Sequence, residues 1–544
     1  MTIYTTLIAA ALTVVAALPL AAQDTVYLQE TGSPILLDGQ DSRVISGKDF
    51  DGDGDMDVFV GNFAQQNIMY MNMGGGVFVE VPPFTLTMPA THTYDAAWGD
   101  MDGDGDLDLA CANGDKDLSQ TGGLGTNNEL YKNMGEGIAP DGVPTEGRFT
   151  AITEGIVVND LGESFAVIWL DVEGDGDMDL FFANRLQENQ LYINDGTPDP
   201  LGAGMFTKHL IGELVTDDET TRDATAGDLD GDGDTDVVIA NSNGLPNAIY
   251  LNLGGAQGGA PGDFHRQSGH AAVTDIGDTY GVSLGDADND GDLDLFATNR
   301  HGQLNRLYEN NGDATYVLRD DLAPSQQGGD SYASAFGDVD GDGDLDLFVA
   351  NRDEINFYYV NDLGGAPDVG VTFREIDYGQ VCEGTDDSRN GAFVDLDGDA
   401  FPELLVANTL GDSNVHFRNL GHQWVNLGAS GQQGSTDPVL SGVGPLNAGA
   451  TVVYRIAGGP ANEPGTMVAG FTTVFAPFKG GTLVPSPDVV VPGFLLDGAG
   501  NMEFATLMPP GFPPGMFVYH QMWIVDGTSP SGVTSTNGLQ AIVP

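Results

Sequence analysis

The 544-residue chain carries a formal net charge of −63, with 41% hydrophobic residues. So acidic a surface repels nucleic acid, and this much apolar sequence in regular strand patterns argues against a disordered, solvating chain. Beyond the N-terminus no segment has the length and apolarity of a membrane span.

Residues 1–22 read as a secretory signal peptide. Leu7 to Leu18 is apolar and is followed by Pro19 and the small pair Ala21 and Ala22, although no Lys or Arg precedes the run and Leu20 interrupts the cleavage pattern. The run is too short to span a bilayer, so cleavage near Ala22 and a secreted or cell-surface location are expected. Val26 to Glu30 follows as a short strand.

An acidic loop then recurs seven times, typified by Asp338 to Asp346, D-V-D-G-D-G-D-L-D. Its carboxylate positions are Asp49, Asp51, Asp53, Asp55 and Asp57; Asp100, Asp102, Asp104, Asp106 and Asp108; Asp171, Glu173, Asp175, Asp177 and Asp179; Asp228, Asp230, Asp232, Asp234 and Asp236; Asp286, Asp288, Asp290, Asp292 and Asp294; Asp338, Asp340, Asp342, Asp344 and Asp346; and Asp395, Asp397, Asp399 and Glu403, with Phe401 at position 7 of the last. These positions hold 34 of the 81 acidic residues, so the charge is concentrated rather than diffuse.

Side-chain oxygens at positions 1, 3, 5 and 9, with the position-7 carbonyl, form the hard oxygen set that Ca²⁺ takes, and Gly at position 6 permits the turn. An EF-hand would close with Glu at position 12 inside a helix. Here position 12 of the sixth copy is Val349, in a β-branched and aromatic run, so the loop belongs to a β-hairpin. Carboxylates this close repel unless a cation sits among them, and up to seven structural Ca²⁺ ions are expected. Glu173 is a longer arm that should still coordinate, whereas Ala400, Phe401 and Glu403 make the seventh loop the weakest match. Asn289, at position 4 of the fifth loop, is not expected to be a side-chain ligand.

The loops begin 51, 71, 57, 58, 52 and 57 residues apart. Each is followed thirteen residues after its first Asp by Asn62, Asn113, Asn184, Asn241, Asn299, Asn351 or Asn408, and then by an Asn-x-x-[Tyr/Phe]-x-Asn run. The Asn residues read as turn residues and the aromatic as core. Each copy offers four strands, as in Ser331 to Phe336, Leu345 to Ala350, Asn356 to Asn361 and Thr372 to Asp377, which predicts an all-β, seven-bladed β-propeller over 23–421. The seventh copy lacks an outer strand, and Val26 to Glu30 is expected to supply it, with Trp424 to Leu427 as the rival. Cys111 lies in an apolar strand and Cys382 in a repeat that is not its neighbour, so free thiols are expected rather than a disulfide.

Six positions before each first Asp stand Arg43, Tyr94, Phe165, Arg222, Tyr280, Tyr332 and Arg389, each preceded by Ser or Thr. They fall at the end of the innermost strand remote from the loop, near one mouth of the central channel. Aromatic faces and Arg forks around a concavity suit a carbohydrate or carboxylate ligand. The same residues could instead cap the inter-blade core. Arg185, Arg300 and Arg352 should enter loops near this mouth. In the second repeat Gly114 to Asn127 and Gly135 to Gly147 are insertions able to carry specificity.

From 422 to 544 the acidic loops stop, and half of the 28 prolines lie there. Thr451 to Ile456, Met467 to Phe475, Asp488 to Leu496 and Phe517 to Val525 predict a small β-sandwich, and Pro509 to Pro514 reads as a rigid loop.

Over about residues 24 to 421 the copies resemble the FG-GAP or VCBS repeats of secreted bacterial proteins and the calcium loops of the integrin α propeller. The resemblance implies that each loop joins the innermost strand to the next on the lower face, with ligand on the upper face. It implies a monomeric, non-catalytic module for adhesion to an extracellular glycan or protein. Two alternatives stand beside it. One is a polysaccharide lyase drawing on His92, Tyr94, Arg300 and His301, although no G-x-S-x-G or H-E-x-x-H motif is present. The other is a scaffold that docks through its C-terminal domain.

Overall fold

The computed structural model describes residues 27–30, 33–37, 40–81, 90–114, 126–135, 149–196, 206–217, 219–254, 259–260, 262–341, 343–361, 372–376, 380–382, 384–398, 401–419, 424–426, 439–443, 451–457, 460–470, 473–478, 481–485, 489–497, 502–507, 517–526, 533–536 and 539–542. The proposed signal peptide, Asp342, Asp399, Ala400, most of the second-repeat insertions and the 509–514 loop lie outside these. One compact unit runs from Gln29 to Asn419, and a second takes in Met1 to Leu28 with Leu420 to Pro544.

The first unit is built from seven four-stranded antiparallel blades, five of them separate sheets and the first two joined in one eight-stranded sheet. In the sixth the strands are Ser331–Gly337, Asp346–Asn351, Phe357–Asn361 and Phe373–Glu375, in that order from the inside outward. The second strand is apolar along most of its length because neighbouring sheets cover both of its faces. All six residues of Asp346–Asn351, and all six of Asp236–Asn241, are buried. The inner strands lie side by side in order, and Ser388–Val394 of the seventh blade packs against Ser42–Lys48 of the first, which closes the ring. Approach is tight here. A Cβ on Gly99 would meet the Trp169 ring at 2.5 Å, and one on Gly337 would meet Phe393 at 2.7 Å.

At the closure Ile45, Val58, Val60 and Tyr70 of the first blade share one apolar cluster with Val394, Leu396, Leu405 and Ala407 of the seventh. The seventh sheet gains its outer strand from Tyr27–Gln29, and the Glu30 amide donates to the His416 carbonyl at 2.9 Å. Trp424–Asn426 instead pairs with Leu539–Ile542. One connection was not foreseen. Asp57–Gln66 runs past its own blade and pairs through Phe63, Gln65 and Gln66 with the start of Ala90–Gly99, so the first two blades share a continuous sheet.

The second unit has a larger antiparallel sheet containing Pro464–Gly470, Val489–Leu495 and Phe517–Val525, a three-stranded sheet of Val439–Val443, Thr451–Ala457 and Met502–Leu507, and a hairpin of Thr473–Phe478 and Gly481–Pro485. The run Met467 to Phe475 therefore divides between two strands. Tyr454 Oη and His520 Nε2, 3.1 Å apart and buried, link the two sheets. Cys111 and Cys382 are free and buried. Among the described residues no helix is long and apolar enough to cross a membrane.

Candidate functional site

Each acidic loop connects the inner strand of its blade to the second, as in Ser42–Lys48, the loop from Asp49, and Asp57–Gln66. Local hydrogen bonds set its shape. In the first loop the two Asp49 oxygens accept the Gly52 and Gly54 amides at 2.8 and 3.0 Å, Asp51 accepts that of Asp53, and Asp53 that of Asp55. Positions 4 and 6 both take positive φ, +78° at Gly52 and +96° at Gly54. Asn289 occupies position 4 of the fifth loop at φ 60°, a conformation Asn tolerates, and its Nδ2 donates to Asp344 of the next blade at 2.6 Å.

Asp49, Asp51 and Asp53 each bring a carboxylate oxygen within 4.8 Å of the others, as do Asp100, Asp102 and Asp108; Asp228, Asp230 and Asp236; Asp286, Asp288 and Asp290; and Asp338, Asp340 and Asp346. Burial, with crowding by Asp53, pushes the Asp51 carboxyl up to about 6, and burial with Asp290 does the same to Asp288. An all-oxygen, anionic donor set under this repulsion fits a hard divalent cation.

The position-9 carboxylates have a second task. In all seven blades one oxygen accepts the position-2 amide and the other accepts the amide of the last Asn in Asn-x-x-[Tyr/Phe]-x-Asn. Asp57 thus holds Phe50 and Asn72, Asp294 holds Ala287 and Asn310, and Glu403 does the same for Leu396 and Asn419, at 2.7–3.2 Å. Burial pushes Asp57, Asp108, Asp179 and Asp236 up to about 7 and Asp294 to about 8, against the pull of these amides.

That last Asn corrects the reading of the repeat asparagines as turn residues. Asn72, Asn133, Asn194, Asn252 and Asn310 do accept an amide two residues on, as in the bond from Gly74 to Asn72. Their Nδ2 groups, however, reach the preceding blade. Asn133 donates to Phe50 O, Asn194 to Met101 O, Asn252 to Val172 O, Asn310 to Leu229 O, Asn361 to Ala287 O, Asn419 to Val339 O and Asn72 to Leu396 O, all at 2.7–2.9 Å. The seven bonds form a closed girdle. A second relay runs at the opposite end, where Asn67 accepts the Asn62 amide and donates to Thr93 of the next blade, which in turn donates to Asn113. The aromatic within the motif is core as expected, with Tyr192 and Tyr359 fully buried.

At that opposite end all seven residues of the predicted ring, Arg43, Tyr94, Phe165, Arg222, Tyr280, Tyr332 and Arg389, line one cavity of about 110 Å³. Every one of them is the residue skipped at a break in strand register, between Ser42 and Val44 in the first blade and between Ser388 and Asn390 in the seventh. A bulge takes its residue out of the ladder and re-aims the side chain. Tyr94 stacks on Phe165 at 4.1 Å, Arg222 lies 4.8 Å from the Phe165 ring and 4.6 Å from Tyr280, and Arg389 lies 3.9 Å from Tyr332.

Arg185 and Arg300 join these aromatics as expected, over Phe165 at 5.1 Å and over Tyr280 and Tyr332 at 4.4 and 4.5 Å, while Arg352 lies 3.5 Å from Asp387. Most of the arginines are already paired with acids, Arg43 with Asp41 at 3.0 Å, Arg300 with Asp330 at 2.7 Å and Arg389 with Asp387 at 3.0 Å. Arg222 differs. Its Nε donates to Ser242 Oγ at 3.1 Å, and among the described residues no carboxylate pairs with it.

The cavity also holds Asp95, Asp223 and Asn390, which sequence reasoning missed. Each directly follows a ring residue and accepts an amide of the next blade, from Val167, Val282 and Ile45 respectively. The acids that pair with the arginines were missed too, although Asp41, Glu163, Asp330 and Asp387 all stand directly before the Ser or Thr of the repeat. Of the residues considered for lyase chemistry, Tyr94 lines the cavity and Arg300 lies over its Tyr280 and Tyr332. His92 stacks on Phe63 at 4.3 Å in the second blade, while His301 pairs with Asp278 at 2.5 Å in the fifth.

The sequence matches the FG-GAP-like repeat over residues 49–111, 171–239, 228–297, 286–349 and 338–406, more than half of the chain. The chain belongs to the FG-GAP-like repeat family. All seven acidic loops fall inside the five matched FG-GAP stretches. No curated protein matches the chain significantly. Among solved structures it is similar to an Agrocybe aegerita lectin described for recognition of non-reducing terminal N-acetylglucosamine, with 18% identity, a TM-score of 0.41, and coverage of 62% of this chain and 79% of that one. It is also similar to BBS1N, solved in complex with ARL6DN, with 10% identity, a TM-score of 0.42, and coverage of 73% and 97%.

Proposed function

We propose that this FG-GAP protein is a secreted, calcium-stabilised binding module that takes an extracellular glycan or protein at the channel mouth, on the face opposite the acidic loops. The observation that carries the reading is the ring. Seven bulged residues from seven blades converge on one cavity, and one of them, Arg222, places its guanidinium between the Phe165 and Tyr280 rings with no carboxylate in ion-pair contact among the described residues. Such a fork suits a carboxylate or sulfate, and the flanking rings suit the apolar face of a sugar.

Calcium in this reading is held by the position-1, -3, -5 and -9 carboxylates of each loop and fixes the hairpin beneath. Bound there, it supplies charge neutralisation. The signal peptide at 1–22 would deliver the chain to a compartment where the ion is plentiful.

Immobilised acidic and neutral polysaccharides would test the reading directly, with product absorbance recorded alongside retention. Retention of an acidic polysaccharide by the native chain, and loss of at least about tenfold in affinity in Arg222→Gln with an unchanged melt, is the expected result. Equal retention by Arg222→Gln sinks the assignment to this cavity.

A further inference from the structure

The seven acidic loops look alike in sequence, yet the structure distinguishes them by one residue outside the loop. Between the aromatic and the last Asn of each Asn-x-x-[Tyr/Phe]-x-Asn run stands Met71, Lys132, Ile193, Leu251, Glu309, Val360 or Arg418. In the second, fifth and seventh blades this position, on the third strand, interacts with the position-3 carboxylate of the same blade's loop.

In the second blade Lys132 Nζ donates to Asp102 Oδ2 and stands 3.5 Å from Asp104. In the seventh Arg418 places Nη2 and Nε on Asp397 Oδ2 at 2.9 and 3.2 Å. Asp102 and Asp397 are both position-3 residues. Elsewhere the position is apolar, apart from Glu309, whose carboxylate is taken by Arg319.

We infer that Lys132 and Arg418 are tethered cations that neutralise the second and seventh loops from within, so that the seven loops divide into five that depend on calcium and two that fill weakly. The inference rests on the calcium reading of the loops given above. Affinity at such oxygen sites follows the charge of the ligand set. A carboxylate oxygen occupied by an ammonium no longer offers its full charge, and the fixed positive charge also repels an incoming divalent ion.

Shielding decides how strongly the tether acts. The Lys132 side chain is 11% exposed and Asp102 13%, so water screens that pair little, whereas Arg418 is 49% exposed. The effect is therefore larger in the second loop, whose sequence matches the motif at every position, than in the seventh, which already departs from it at Phe401 and Glu403. The two tethered blades flank the first, so the arc in which the ring closes is the one least dependent on the metal.

Equilibrium dialysis at graded free calcium, with metal content measured directly, tests the division. Seven loops less two tethered ones leaves five, so the native chain is expected to take up five ions in a tight step and the remainder only at concentrations about tenfold or more higher. Lys132→Met, which copies the first blade, should add one ion to the tight step. Met71→Lys, the reverse change at a half-buried position, should remove one. The second variant keeps the test informative should the first fail to fold. Seven ions of one affinity in the native chain, or an unchanged tight step in both variants, overturns the tether while leaving calcium binding in place. A chain that binds no ion at any concentration overturns the calcium reading itself, and the tether with it.

Discussion

The two ends of each inner strand are built on opposite rules. At the loop end the residues repeat from blade to blade, and their side chains are spent on backbone: the position-9 acid holds two amides of its own blade, and the last Asn holds a carbonyl of the blade before. At the channel mouth the backbone repeats, with a bulge in every blade, while the side chain alternates among Arg, Tyr and Phe. A uniform side chain in a ring of equivalent seats marks a load shared by all blades. A uniform backbone bearing different side chains marks a frame in which chemistry can vary without disturbing the ring.

The comparison breaks most readily at the loop end. On the proposed calcium reading, in which the hairpins would fold with their metal, chelation should lower the melting temperature by tens of degrees; a calorimetric melt unchanged in excess chelator removes the metal from the account. Next in size is the girdle. Asn252→Ala deletes the Nδ2 bond to Val172 O and leaves that buried carbonyl without its side-chain donor. The expected loss is about 2–4 kcal/mol in denaturant unfolding at saturating calcium. A loss below about 0.5 kcal/mol would mean that the inter-blade bonds carry no load. At the mouth the sign of the contrast reverses: Tyr332→Ala should cost about 1 kcal/mol or less, since the ring is half-buried and its partners Arg300 and Arg389 keep their own acids, while ligand retention falls.

Much of this was legible in the sequence because the repeat supplies seven parallel readings. The spacing of first Asp residues placed the blades, the alternation of aromatic and Arg placed the ring, and the missing outer strand of the seventh copy pointed to Val26 to Glu30. What escaped was whatever depends on the blade next door. Nothing local tells that Asn133 reaches Phe50, eighty-three residues earlier. Asp95 and Asp223 escaped for another reason. Only two copies carry an acid there, so alignment of the repeats gave no periodic signal, and their shared position in the channel wall follows from ring closure alone.

Those two acids give the smallest and most selective test. Burial pushes Asp95 up to about 6 and Asp223 up to about 7, the second also through repulsion from the first, against the amides each accepts. Arg43, Arg222 and Arg389, with Tyr94, Tyr280 and Tyr332, line the same cavity. A carboxyl whose folded-state value lies above the unfolded one near 3.8 binds its proton more tightly in the fold. Its contribution to stability is therefore full below about pH 4 and is lost as pH rises through 6 to 7. In saturating calcium, which keeps the loops charged throughout, the native chain should lose about 1–2 kcal/mol between pH 5 and pH 8. Asp223→Asn should remove most of that slope without loss at pH 5, because Asn390 shows that an amide Oδ1 at this position can accept the next blade's N–H, here from Ile45 at 3.3 Å. If the variant keeps the native slope, the titrating group lies elsewhere than in the channel wall. If it loses the slope, the floor of the ligand cavity is neutral at pH 5 and charged at pH 8, and an anionic ligand at Arg222 should bind more tightly at the lower pH.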